Sequence, residues 1–205
     1  MKKIKMKNKT LLMISVLIIS LVSLSTIAYF ISKDKVTNVI NTGDVDIEVS
    51  EETFKPPINW DGSEYSKEVA ITNQSKSPAL IRVNITPIWE DKDGNQYLGD
   101  ASIVNLKFMN LAEPTTDKKG MWVDGNDGYY YYNAIVLTGD KTSEILDSVE
   151  LNIPKSSESI YDQKNLKIDV KAEAIQATID ARKAAWTSVK DGSKIQDMLD
   201  RLCVR

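Results

Sequence analysis

Apolar and polar residues alternate along much of the chain between residues 36 and 177, and turn-forming residues separate the alternating runs. An alternation with a period of two predicts β-strands that have one face in a core and the other in water. The predicted strands lie at residues 45–49, 69–71, 80–89, 103–109, 121–123, 129–137, 145–153 and 166–177. About eight strands with no long helix between them predict an all-β fold, an antiparallel jelly roll or β-sandwich made of two packed sheets.

One of these runs contains a proline. Ile81, Val83, Ile85 and Trp89 fall on one side of the predicted strand, as alternation requires. Pro87 has no backbone N–H to donate to a neighbouring strand, so it predicts an edge position or a β-bulge at this point.

The C-terminal residues 178–205 follow a different pattern, rich in Ala, Lys and Asp. The apolar residues with the spacing of one helical face are Ile195, Met198, Leu199 and Leu202. Ser193 precedes them as a suitable N-cap, so we expect a helix at about residues 180–190 and a second, short helix after Ser193. This tail can pack on the sheets or bind a partner, and the pattern leaves both roles open.

The first 28 residues have the layout of a secretory signal. Five lysines precede an apolar stretch at residues 11–27, and the first acidic residue is Asp34. A positive segment followed by an apolar one enters the export pathway with its lysines on the cytoplasmic side. Thr26 and Ala28 form a small-residue cleavage site, which predicts a cut between Ala28 and Tyr29. The mature protein would then be secreted, to the extracellular matrix or the cell surface.

An uncleaved membrane anchor is the alternative. Residues 11–31 form a stretch of 21 residues, and about 20 suffice to cross a bilayer. The small residues at the junction favour cleavage, in which case the membrane is a partner only through the signal segment.

Composition narrows the classes of function. Without residues 1–28 the chain keeps 21 basic and 29 acidic residues, a net charge of −8, which argues against nucleic acid as a partner. Cys203 is the only cysteine, so no intrachain disulfide can form, and the chain has no histidine, the commonest general base and metal ligand. We therefore expect no enzymatic activity, no catalytic residue, no cofactor and no metal site.

Two acidic segments invite a calcium interpretation. Residues 91–95, Asp-Lys-Asp-Gly-Asn, begin like an EF-hand loop, but Gln96 and Ser102 stand where that loop requires Gly and Glu. Residues 124–128, Asp-Gly-Asn-Asp-Gly, have the composition of a turn between strands. Both segments predict turns in preference to ion sites.

Aromatic residues suggest a sugar-binding face. They include Trp60, Trp89, Trp122, Trp186 and four consecutive tyrosines, Tyr129, Tyr130, Tyr131 and Tyr132. Alternation in a strand would place Tyr129 and Tyr131 on one face and the other two tyrosines on the opposite face, so half of the run would lie in the core. No GxSxG, SxxK or HExxH motif accompanies them.

Several short motifs occur in a recognisable order. They are residues 28–30, Asn38, and residues 43–47, 69–73, 78–83 and 173–177. Together they resemble the TasA/camelysin family of exported proteins, and the last three are similar to its BsaA branch. The resemblance covers most of residues 10–186.

The resemblance implies a jelly-roll subunit of biofilm matrix fibres or pili, whose signal is cut by a signal peptidase of SipW type. In such fibres the N-terminal strand of one subunit is thought to join the sheet of the next. Some camelysin relatives are described as metallopeptidases. Without histidine, however, a conventional zinc site would need carboxylates alone, and that activity is not transferred to this chain.

The residues that follow the cleavage site fit such an assembly. The predicted assembly residues, all strand-forming or aromatic, are Phe30, Ile31, Val36, Val39 and Ile40. A free apolar terminus that adds to a sheet edge gains backbone hydrogen bonds and side-chain pockets together, and head-to-tail addition that does not close a ring makes a filament. The alternative is that this segment folds back as the first strand of its own domain.

The sequence thus predicts a signal peptide at residues 1–28, a donor strand segment at 29–43, a jelly-roll domain at 44–178 and a helical tail at 179–205. The predicted function is that of a secreted structural subunit whose partners are further copies of itself, the signal peptidase and other matrix components. The alternatives are a secreted glycan- or matrix-binding accessory module or adhesin that does not polymerise, and, disfavoured, a camelysin-like metallopeptidase.

Overall fold

The computed structural model of the chain describes residues 40–42, 45–51, 62–91, 93–161 and 164–203. The strands in these ranges are β1 (Ile40–Thr42), β2 (Ile47–Glu51), β3 (Tyr65–Asn73), β4 (Ala79–Glu90), β5 (Gln96–Tyr97), β6 (Val104–Phe108), β7 (Trp122–Asp124), β8 (Tyr130–Tyr132), β9 (Leu146–Leu151) and β10 (Asn165–Gln176). They form two sheets, the first in the order β1-β10-β4-β8-β7, with β5 also on β4, and the second in the order β2-β3-β9-β6.

Antiparallel pairing dominates both sheets. The longest ladder joins β4 to β10, which pair along their full length from Ala79 opposite Gln176 to Glu90 opposite Asn165. The pairing of β1 with β10 is parallel and covers three residues. The prediction of an all-β fold built from two antiparallel sheets is therefore confirmed.

The two sheets share one apolar core. It takes alternate residues from facing strands, because successive side chains of a strand point to opposite faces. The residues predicted to share one side of β4 are all buried there: Ile81, Val83, Ile85 and Trp89. Val69, Ile71 and Val149 contribute from the second sheet. Burial of this interface, which removes apolar surface from water, is the main favourable term for the fold.

Pro87 shows how a strand can hold a proline inside a sheet. β4 has neighbours on both sides, so the prediction of an edge strand is wrong for the strand as a whole. On the side away from β10, however, the described pairing stops at Val83 with β8 and resumes at Trp89 with β5. Pro87 lies in this gap, where no N–H is required on that side.

The strand predicted at residues 129–137 is shorter than expected. β8 ends at Tyr132, and Val136 makes only an isolated bridge to Ala79. Asn133 explains the interruption, because its side chain accepts from the Met121 N–H and donates to the Lys118 carbonyl, which ties the chain to the neighbouring loop.

Three α-helices are described: α1 (Glu158–Tyr161), α2 (Ile179–Ala185) and α3 (Lys194–Leu202). Ser193 caps α3 as predicted, its hydroxyl accepting from the Gln196 N–H at 3.1 Å. The predicted helix at about 180–190 stops earlier, at Ala185. The residues that follow Trp186 are Thr187, Ser188 and Val189, which are poor helix formers.

Helices α2 and α3 cover one end of the outer face of the first sheet, and we refer to residues 179–203 as the helical cap. The cap buries Trp186, Leu199 and Cys203 against Leu80 of β4 and Ile175 of β10 in a second apolar cluster. Of the two roles left open for the tail, packing on the sheets is the one confirmed.

Residues 1–39 lie outside the described ranges, and with them the predicted signal, the cleavage point at Ala28 and Tyr29, and the assembly residues Phe30, Ile31, Val36 and Val39. Ile40 is described as the first residue of β1.

Candidate functional site: the open edge of β10 and its polar cluster

The described residues cover the edge of the first sheet at β10 only in part. On one side β10 pairs with β4 over all twelve of its residues, while on the other side it pairs with β1 at Glu173, Ala174 and Ile175 alone. In the described part of the chain, residues 165–172 of β10 have no strand partner on that side. We call residues 165–172 the open edge. A row of unpaired backbone groups is a template for another strand.

The other edge strands are shorter than β10 and present fewer unpaired backbone groups. Among the described residues, β2 and β6 border the second sheet with five residues each. β7, at the far side of the first sheet, has three residues, and Leu111 already bridges to its Trp122. Short edge strands are one way in which proteins avoid unwanted strand pairing, so β10 stands out.

A charged pair lies on the outer face of the sheet, next to the covered end of this edge. Arg82 of β4 and Glu173 of β10 are register partners, and each residue is 6 % exposed. Arg82 donates to Glu173 Oε2 from Nε at 2.9 Å and from Nη2 at 2.6 Å. A buried guanidinium and carboxylate need such close pairing because each has lost its hydration.

Two further side chains complete the surroundings of Glu173. Tyr129 donates from its hydroxyl to Glu173 Oε1 at 2.8 Å, and Lys171 Nζ lies 3.1 Å from the same oxygen. Burial by itself would raise the pKa of Glu173. The hydrogen bond from Tyr129 and the charges of Arg82 and Lys171 outweigh it, so the pKa lies below its ordinary value. Glu173 is therefore held as a carboxylate.

The same arginine reaches the helical cap. Arg82 Nη1 donates to Ser188 Oγ at 2.9 Å and to the Tyr131 hydroxyl at 3.2 Å. Its Cζ lies 3.9 Å from the ring centroid of Tyr129 and 5.0 Å from that of Trp186, distances typical of cation–π contacts. Arg82 thus joins β4, β10, the Tyr129 turn and the cap in one cluster.

Tyr131 extends the cluster to the β7–β8 turn. Its hydroxyl donates to Asp127 Oδ2 at 2.6 Å. Burial, followed by this hydrogen bond, raises the pKa of Tyr131 to about 12. Because Tyr131 keeps its proton and Glu173 keeps its charge, both side chains are suited to joining the strands and the turn of this cluster. The expectation of no catalytic residue stays a prediction.

Sequence reasoning missed this polar cluster, although a signal was present. Arg82 interrupts the apolar run of Leu80, Ile81 and Val83, and Glu173 lies among alanines and Ile175. A single charge inside an otherwise apolar strand needs a partner when it is buried, but the pattern does not say which charge it meets across 91 residues.

Both acidic segments weighed as calcium sites form turns. Asp91 Oδ1 accepts from the N–H groups of Asp93 and Asn95, each at 2.9 Å, and closes the hairpin between β4 and β5. Asp124 Oδ1 accepts from the Asn126 N–H at 2.8 Å, and Gly128 has a positive φ of 88°. Over the described residues no group of three or more Cys, Asp or Glu side chains is placed to hold a metal ion.

The aromatic residues mostly face inward. Trp89, Trp122 and Trp186 are buried, while Trp60 lies outside the described ranges. The four tyrosines divide as alternation predicts: Tyr130 and Tyr132 enter the core between the sheets, and Tyr129 and Tyr131 join the outer cluster. This arrangement uses the aromatic groups in packing instead of presenting them as a sugar-binding face.

Comparisons with family models, curated proteins and solved structures returned no match. Within the described ranges, no helix combines the length and the apolar character needed to span a bilayer.

Proposed function

We propose that the chain is a secreted, non-enzymatic structural subunit of matrix fibres or pili, with a domain of the jelly-roll type found in the TasA/camelysin family that it resembles. The N-terminal segment of one subunit adds as a strand to the open edge of β10 in the next subunit. The observation that carries the proposal is the edge of β10, which β1 covers at Glu173, Ala174 and Ile175 and along which residues 165–172 have no strand partner among the described residues.

The direction and length of the pairing support this mechanism. β1 runs parallel to β10, with Ile40 opposite Glu173 and Thr42 opposite Ile175. A continuation of the same register would place residues 32–39 opposite residues 165–172. The segment between the predicted cleavage site and β1 therefore has the length that the open edge requires.

In an exchange between subunits, β1 of one chain would make with β10 of another chain the same backbone pairing that it can make within its own chain. In a single chain β1 lies on its own β10, which corresponds to the alternative in which the segment folds back. Transfer of an identical strand to a neighbouring copy replaces these bonds with equivalent ones, so exchange costs little. When each subunit donates at one end and accepts at another, the assembly grows as an open filament.

Export would control this exchange. While the signal segment of residues 1–28 remains attached, the donor strand is tethered to the membrane. Cleavage between Ala28 and Tyr29 by a SipW-type signal peptidase would free it outside the cell. Other matrix components would meet the fibre there, and no nucleic acid takes part.

Removal of the donor segment tests the proposal. We expect a chain that begins at Tyr29 to form filaments visible by negative-stain electron microscopy, and a chain that begins at Thr42 to stay monomeric by light scattering. Circular dichroism and thermal unfolding should show that the shorter chain is folded.

A matched pair of full-length variants covers the case in which the shorter chain does not fold. Val36→Asn, Val39→Asn and Ile40→Asn together remove the apolar side chains of the segment and should abolish filaments. The control, Thr37→Ser with Asn38→Ser, changes polar positions and should leave filaments intact. Filaments from the chain that begins at Thr42, or from the triple variant, would refute strand donation.

A further inference from the structure

A polar cleft opens in the helical cap, on the surface of α2 and the turn that leads to α3. Its volume is about 600 Å³, and its floor includes Trp186 and Arg182. Lys183, Thr187, Lys190 and Gln196 also line it. This volume lies in the range of small-molecule sites, roughly 300–1,000 Å³.

Arg182 is held at the floor of this cleft, and the described residues leave part of its guanidinium without an acceptor. The residue is 2 % exposed. Nε and Nη2 donate to the two carboxylate oxygens of Asp200 at 2.9 and 3.0 Å. Among the described residues Nη1 donates no hydrogen bond. The bidentate pair with Asp200 holds the guanidinium plane in place, which preorganises the remaining N–H groups for a second acceptor.

The walls of the cleft add positive charge. Lys183 and Lys190 are exposed, and neither forms an ion pair with a described residue. Of the described residues that line the cleft, Asp191 alone is a carboxylate. With Asp200 counted as the partner of Arg182, three basic groups stand against two carboxylates, which leaves a balance of +1 at the cleft. Residues 29–205 together carry a net charge of −8, so this local positive charge can attract anions.

The remaining lining groups suit a ligand that also carries hydroxyls. Gln196 Oε1 accepts from the Gly192 N–H, which leaves its amide NH₂ free to donate toward the cleft, and the Thr187 hydroxyl can donate or accept. A bare phosphate would fill a small part of the volume and meet few of these groups.

We propose that this cleft binds an acidic sugar, a hexuronate unit of a polysaccharide, with its carboxylate toward Arg182 and the two lysines and its hydroxyls toward Thr187 and Gln196. The site goes beyond the assembly function, because it lies on the helical cap and does not involve the open edge. It would give each subunit of a fibre a contact with an acidic matrix polysaccharide.

The test uses the chain as secreted by an exporting host, with Val36→Asn, Val39→Asn and Ile40→Asn to keep it unassembled, and titrates it with tetragalacturonate. Binding should shift the Trp186 indole resonance in NMR spectra and weaken as salt is added. The double variant Lys183→Gln and Lys190→Gln changes only exposed side chains. It should raise the Kd about tenfold, because it removes two charge contacts with the ligand. The control Lys118→Gln with Lys119→Gln makes the same change of charge elsewhere and should leave the Kd unchanged.

Three results would overturn the proposal. Binding of a neutral tetrasaccharide with the same Kd as tetragalacturonate would remove the role of the carboxylate. A Trp186 shift reproduced by inorganic phosphate at the same concentration would indicate a general anion site. Equal weakening by the control variant would attribute binding to the overall charge of the chain.

Discussion

The two buried regions of this domain are built on different principles. The core between the sheets is almost entirely apolar, with residues such as Val69, Ile81 and Leu146 from both sheets. The region under the helical cap mixes apolar contacts with the Arg82–Glu173 pair and its hydrogen-bonded tyrosines. The first region depends on the removal of apolar surface from water. The second depends also on whether its ionisable groups stay charged, so the two should respond differently to mutation and to pH.

The largest effect is expected in the core between the sheets. Leu146 in β9 is fully buried, and Leu146→Ala should lower the free energy of unfolding by about 4 kcal/mol, because it removes apolar contacts and leaves a cavity. The loss should be equal at about pH 7 and about pH 3, since no charge is involved. Urea unfolding measures it, and Leu137→Ala, at a half-exposed position, should change stability by less than about 0.5 kcal/mol. A loss that depends strongly on pH would contradict an apolar origin.

A somewhat smaller effect is expected in the outer cluster. Arg82→Met should cost about 3 kcal/mol at about pH 7, because it leaves the Glu173 carboxylate buried with Lys171 and Tyr129 alone. The control, Arg201→Met on the exposed face of α3, should cost less than about 0.5 kcal/mol.

The pH dependence of the stability lost in Arg82→Met distinguishes the outer cluster from the apolar core. The pKa of Glu173 is lowered in the folded state, so its contribution to stability is present above the pKa of the unfolded chain and is lost as the pH falls through the lower, folded value. The wild-type chain should therefore lose stability in acid, and the difference between it and Arg82→Met should narrow at about pH 3. A difference that stays constant between the two pH values would show that Arg82 acts through packing alone.

The same contrast explains which parts of the fold were accessible from the sequence. Alternation identifies the strands around Val69, Ile81 and Val170 because each strand alone carries its own pattern of burial. Ser193 is recognisable as an N-cap from the sequence because capping is a local property.

The pairing of residues that lie far apart in the chain could not be predicted from the sequence. Nothing local to Arg82 specifies Glu173, and nothing local to Ile40 specifies a parallel position opposite Glu173. Pro87 by itself predicts an edge position or a β-bulge, because the gap in the neighbouring pairing is a property of two other strands. The cleft of the cap was missed for the same reason, since Arg182 and Lys190 meet only when the turn after Trp186 brings them together.

In the proposed fibre, a neighbouring subunit supplies the strand on the β10 edge. Solid-state NMR of filaments grown from an equal mixture of ¹⁵N-labelled and ¹³C-labelled chains tests it, because nitrogen–carbon correlations then report only contacts between different chains. We predict such correlations between residues 32–42 of one chain and residues 165–175 of another. A second sample, in which uniformly labelled chains are diluted in unlabelled protein, reports only contacts within one chain. If the pairing appears in this sample and not in the mixed one, strand exchange is contradicted.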